Sequence, residues 1–140
     1  MFLNRLDFIE KEAFVSLSVR AAESNGHFAD KEYQMIEEYC KEMGIAFFDA
    51  KNLKPMEDVV RVFEEADEQH KKIAVLEIIG LMYADGGYDE QERAFVNDFV
   101  SKIGVPEDAV RKIDATLLKY VDMTRELYEC IEDSVGIKKS

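Results

Sequence analysis

One hundred and forty residues, 47% of them apolar, are enough for one domain that buries roughly two thirds of its unfolded surface without a disulfide or a metal. Thirty acids against eighteen bases give a formal charge of -12, which repels phosphate backbones and anionic membrane surfaces, so nucleic acid and membrane insertion are not expected and cations or basic protein surfaces are. Cys40 and Cys130 stand alone, with no CxxC or Cys/His company, and predict reduced, buried thiols rather than a ligand set. The opening MFLNRLDFIEKE has neither the apolar run nor the cleavage site of a signal peptide, so a cytoplasmic protein is expected.

In chain order, residues 4 to 24 read as a long helix with Phe8, Ile9, Phe14, Val15, Leu17, Val19 and Ala22 on its apolar side, ended by Asn25-Gly26. After a turn with His27 and Phe28, Asp30 is placed to cap a second helix. That helix buries Met35, Ile36, Tyr39, Cys40 and Met43, turns Glu37, Glu38, Lys41 and Glu42 to water, and stops at Gly44. Phe47-Phe48 is expected to be a buried plug, and residues 52 to 55 a loop. Pro55 suits the first position of a short helix using Val59, Val60, Val62 and Phe63, and Glu64, Glu65, Asp67 and Glu68 make an acidic exit.

From Ile73 to Ala84 only Glu77 and Gly80 interrupt the apolar residues, which predicts a central helix surrounded by others. Asp85-Gly86-Gly87 ends it. Asp89 and Glu92 are spaced as the N-cap and N3 residues of a capping box, and Phe95, Val96, Phe99, Val100 and Ile103 line the next helix up to Gly104. Pro106 opens a further helix with Val110, Ile113, Leu117 and Tyr120 or Val121 inward. The apolar phase shifts near Asp122 to Thr124, where Leu127, Tyr128 and Ile131 begin a new stripe, so the end is expected to be two helices, the last finished at Gly136 with Lys138-Lys139 beyond it. No segment alternates with period two. The expected fold is all-α, about seven helices in a compact bundle over residues 1–140.

Adding 60 to residues 14 to 45 lays them on residues 74 to 105 without a gap: Val15 on Val75, Asn25-Gly26 on Asp85-Gly86, Phe28 on Tyr88, Glu32 on Glu92, and Met43-Gly44 on Ile103-Gly104. Two pseudo-repeated helix-turn-helix units, about 8–45 and 68–105, are therefore expected, followed by C-terminal helices over 106–136.

Asp85 closes the central helix at the negative end of its dipole, where a carboxylate needs compensation. Two readings account for it: the side chain reaches free amides of the next helix, or Asp85, Asp89 and Glu92 hold a divalent cation. An EF-hand is excluded, because its first and third ligand positions would be Leu81 and Tyr83. His27 and His70 lack zinc-site spacing, and no GxSxG, P-loop or dinucleotide fingerprint occurs, so no enzymatic activity and no firm cofactor are expected. Glu77 needs a partner inside its apolar helix, with Arg20 preferred; the other reading places it on a partly exposed edge.

The segment Ala84-Asp85-Gly86, with an aromatic at Tyr88 and Glu92, echoed in degenerate form by Ser24-Asn25-Gly26, Phe28 and Glu32, resembles the TerB-like group of tellurite-resistance proteins. The N-terminal domain of the DnaJ-like co-chaperone DjlA is similar. The resemblance, over residues about 8 to 120, implies a bundle of about seven helices with internal pseudo-symmetry, no enzymatic activity, and acidic turns that serve as cation or partner sites, here Asp85, Asp89 and Glu92. Asn25 lacks the carboxylate and Ala29 lacks the counterpart of Asp89, which puts a symmetric pair of sites in doubt. The expected function is protein–protein interaction in a stress-related or accessory role, through an unidentified protein partner. The alternative is weak divalent-cation binding at 85–92.

Overall fold

The structure, a computed structural model, describes the backbone of residues 1–24, 30–46, 53–83 and 88–136, and side chains within the same segments from 33 rather than 30 and up to 132 rather than 136. Asn25, Gly26, His27, Phe28, Ala29, Phe47, Phe48, Ala84, Asp85, Gly86, Gly87 and Lys138-Lys139, all named above, lie outside the described residues, as do residue 52 and the side chains of Asp30 and Glu32. Among the described residues the fold is all-α: a 3-10 turn, Leu3–Arg5, then α1 Phe8–Ala22, α2 Asp30–Met43, α3 Met56–Glu64, α4 Glu68–Tyr83, α5 Glu90–Ile103 and α6 Glu107–Gly136. No helix among them is long and apolar enough to cross a membrane.

Among the described residues six α-helices stand where about seven are expected, and the difference lies in the segment after residue 106. The expected break at Asp122 to Thr124 is absent, and α6 runs through it as one helix of 30 residues, about 45 Å long. No glycine or proline lies within it before Gly136, so the change of apolar phase has no backbone cause to break on.

Two helices, not one, occupy the centre. In α1 every residue from Ala13 to Val19 is buried; in α4 Ile73, Ala74, Val75, Glu77, Ile78, Ile79, Leu81 and Met82 are. Both read as apolar round the circumference because both are enclosed: α1 packs on α2, α3 and α4, and α4 also meets α5 and α6. Phe63 of α3 meets Phe99 of α5 edge to face, with ring centres 5.9 Å apart, and Phe14 meets Tyr39 at 5.5 Å. Phe8 and Ile9, expected on the apolar side of α1, are exposed in its first turn.

Side-chain caps set where the helices begin. Asp7 accepts from the Glu10 amide at 2.8 Å while Glu10 accepts from the Asp7 amide at 2.9 Å, and Asp67 accepts from the His70 amide at 2.8 Å. Pro55 lies one residue before its expected place, as the N-cap of α3, with its carbonyl accepting from Asp58 and Val59. Left-handed glycines set where two helices end: Gly44 after α2, at φ 69°, and Gly104 after α5, at φ 80°. The starts of α1 and α4, and both bounds of α2 and α5, lie 60 residues apart.

Candidate functional site

The expected acidic turn is visible only on its α5 side, because Asp85 lies outside the described residues. Asp89 and Glu92 form the expected capping box: Asp89 Oδ1 accepts from the Glu92 amide at 2.8 Å, and Glu92 Oε1 accepts from the Asp89 amide at 3.1 Å. Glu92 is fully buried. The two carboxylates thus spend oxygens on the first turn of α5. Among the described residues no group of three His, Cys, Asp or Glu side chains is arranged to hold a metal ion.

Beside that box, an ionic and aromatic cluster ties α4, α5 and the root of α6 together. The Arg93 guanidinium lies 4.1 Å from the centre of the Tyr88 ring, donates from Nε to the Tyr88 carbonyl at 3.0 Å, and pairs with Asp114 of α6 at 3.6 Å. Tyr83 of α4 donates its hydroxyl to the same Asp114 and packs edge to face on Tyr88. Burial pushes both phenols above their usual pKa, with Asp114 acting in the same direction and Arg93 against it. The cluster is a clamp on α6.

Glu77 is buried and paired, but not with Arg20. Its Oε2 accepts from the Met1 amino group at 2.8 Å and from the Phe2 amide at 2.6 Å, while Glu42 takes the same amino group at 2.7 Å and the Leu3 amide at 2.8 Å. Arg20 donates from Nε to the Lys54 carbonyl at 3.0 Å, and Ser16, one turn earlier on α1, accepts from the Lys54 amide at 2.9 Å. Arg20 is therefore committed to the strand of chain leading into α3. Glu10 and His70, the third residues of α1 and α4, meet at 2.7 Å, which brings the starts of those helices together.

Among the described residues, most of the large apolar side chains left in water are on α6. Val110, Ile113 and Leu117 pack against the core, but the rest of the helix leaves it. Tyr120 is 48% exposed, Met123 62%, Leu127 60% and Tyr128 62%, and Ile131 is exposed as well. Leu127, Tyr128 and Ile131, expected as a new apolar stripe on a separate last helix, are instead exposed on α6 itself. Cys130, expected to be buried like Cys40, is exposed on the same stretch. Sequence carries a signal for this arrangement that the 3.6-residue reading passes over. Val110, Ile113, Leu117, Tyr120, Thr124, Leu127 and Ile131 alternate in steps of three and four, the spacing of a coiled-coil seam.

No protein-family model, no curated protein and no solved structure matches the chain.

Proposed function

We infer that this chain is a non-enzymatic helical module of the TerB-like kind, built from two copies of one helix-turn-helix unit, that works by binding a protein through the outer half of α6. The observation that carries the reading is the contiguous apolar stripe of Tyr120, Met123, Leu127 and Tyr128 on a helix whose root is clamped and whose outer half stands in water. An apolar face of this kind on a strongly acidic chain marks an interaction surface. The 60-residue offset of the helix starts and of the left-handed glycines supports the duplication. The accessory, stress-related role that goes with the TerB resemblance belongs to the same proposal.

Placing a photo-crosslinking residue at position 127 tests it, with position 129 as the control on the opposite side of the same turn. In extract of the source cell, a protein adduct is expected from 127 and not from 129. Equal or absent adducts at the two positions would overturn the reading.

A further inference from the structure

We propose that the cleft between the 3-10 turn, α4 and the root of α6 is a second binding site, separate from the exposed stripe of α6, and that it takes a small anionic amphiphile: one carboxylate on an aliphatic chain of medium length.

The cleft measures about 440 Å³, inside the range of roughly 300–1,000 Å³ in which small-molecule sites fall. Ile73, which is buried, and Phe2, Leu76 and Ile113, which are half-buried, give it an apolar lining. Residues 69, 72, 73 and 76 recur at helical spacing, so one face of α4 makes a whole wall. An aliphatic chain laid along that wall leaves water for apolar contact, and each methylene that reaches the lining adds affinity.

Charge selects the head group. The cleft is also lined by Arg5 and Lys72, both exposed; the remaining lining residue, Gln69, is neutral, and no acid lines it. In a chain with thirty acids and eighteen bases, two cations gathered without an acid stand out. Among the described residues neither is held by a carboxylate: Arg5 lies over the Phe2 ring, 5.2 Å from its centre, and Lys72 has no ion pair. The acids that could have neutralised them are engaged elsewhere. Glu68, one turn before Lys72 on α4, pairs with Lys71 at 3.5 Å; Asp7 caps α1; Glu77 holds the Met1 amino group and the Phe2 amide; and Asp114 is held by Tyr83 and Arg93. The guanidinium and ammonium donors are therefore not spent on the fold, and a guanidinium matches a planar carboxylate in two parallel bonds.

The charge of -12 limits the ligand further. A polyanion, whether a nucleic acid or a run of acidic residues, meets the repulsion of the whole molecule. A single carboxylate meets two adjacent cations, while acids beyond a Debye length of about 8 Å are screened. A carboxylate without a chain would leave the apolar lining in water, and a chain without a carboxylate would leave Arg5 and Lys72 unused.

Octanoate titrated into the purified chain and followed by amide NMR tests the site, with octanol and acetate as controls. Saturable shifts at residues 2 to 5, 69 to 76 and 113 are expected from octanoate, none there from acetate, and binding about tenfold weaker from octanol. Arg5→Gln/Lys72→Gln, at two exposed positions, is expected to weaken octanoate by about tenfold with undiminished helical circular dichroism and to leave octanol unaffected. Equal affinity for octanoate and octanol, or equal octanoate affinity in the wild type and the double variant, would overturn the proposal. Shifts confined to residues 118 to 131 would place the amphiphile on the exposed stripe of α6 and overturn it too, as would the absence of any saturable shift.

Discussion

Glu77 shows what one residue in the wrong-looking place is for. A carboxylate in an enclosed helix must have partners, and it finds the Phe2 amide and the Met1 amino group. Glu77→Ala is expected to cost about 2 kcal/mol, mostly from the stranded Phe2 amide and the lost charge-assisted bonds, read from the urea midpoint. Burial alone would lower the pKa of the amino group, but its bonds to Glu42 and Glu77 outweigh this and raise it above 8.0. A raised pKa means that the group's stabilisation is present in full below pH 8 and is lost as pH climbs through the folded value. In protein with a free Met1 amino group the urea midpoint should therefore fall on the alkaline side of pH 8. Glu42→Gln/Glu77→Gln should flatten that fall. The need for a partner was legible in the sequence. The partner was not, because a backbone terminus leaves no side-chain signature, and Arg20 was taken by Lys54. The capping box of Asp89 and Glu92 was legible, since it is local chemistry three residues long. Asp89→Ala should cost about 1 kcal/mol. For the same reason calcium, magnesium, manganese or zinc is expected to leave the amide resonances of residues 88 to 92 in place; saturable shifts there, lost in Asp89→Ala, would instead establish the cation reading.

Among elements, the glycines separate turns from helix interiors. Gly44 and Gly104 have left-handed backbones with open space around them, so Gly44→Ala and Gly104→Ala meet no clash but carry backbone strain of about 1 kcal/mol each. Gly80 lies inside α4, also with open space, and Gly80→Ala is expected to stabilise by up to about 1 kcal/mol. Thermal unfolding of the three variants checks both signs at once. The ends of α2 and α5 were legible because Gly44 and Gly104 mark them. The length of α6 was not: Leu127 and Tyr128 were assigned to a new stripe on a separate helix, because an apolar helical residue looks the same in sequence whether it faces a core or water. Deleting residues 125 to 140 removes side chains that, as far as they are described, stand in water, and should change the stability of the body by less than about 0.5 kcal/mol.

The whole molecule follows from two enclosed helices. α1 and α4 bring their starts together at Glu10 and His70 and are wrapped by the amphipathic helices α2, α3 and α5 and the root of α6, which is why the all-α class was readable from periodicity alone. A binding partner has no such periodic trace, because it is written only in which apolar residues the finished fold leaves outside. Among the described residues Met1, Phe8, Ile9 and Tyr33 lie outside too, but the other large ones, from Leu118 to Ile131, gather on α6, and the account stands on that helix being an interface. Hydrogen exchange of the amides from 118 to 132, measured on the chain with and without extract of the source cell, tests this most directly. Exchange that slows in the extract, and stays fast in Leu127→Asp, is the expected result. Equally fast exchange with and without the extract would contradict the account.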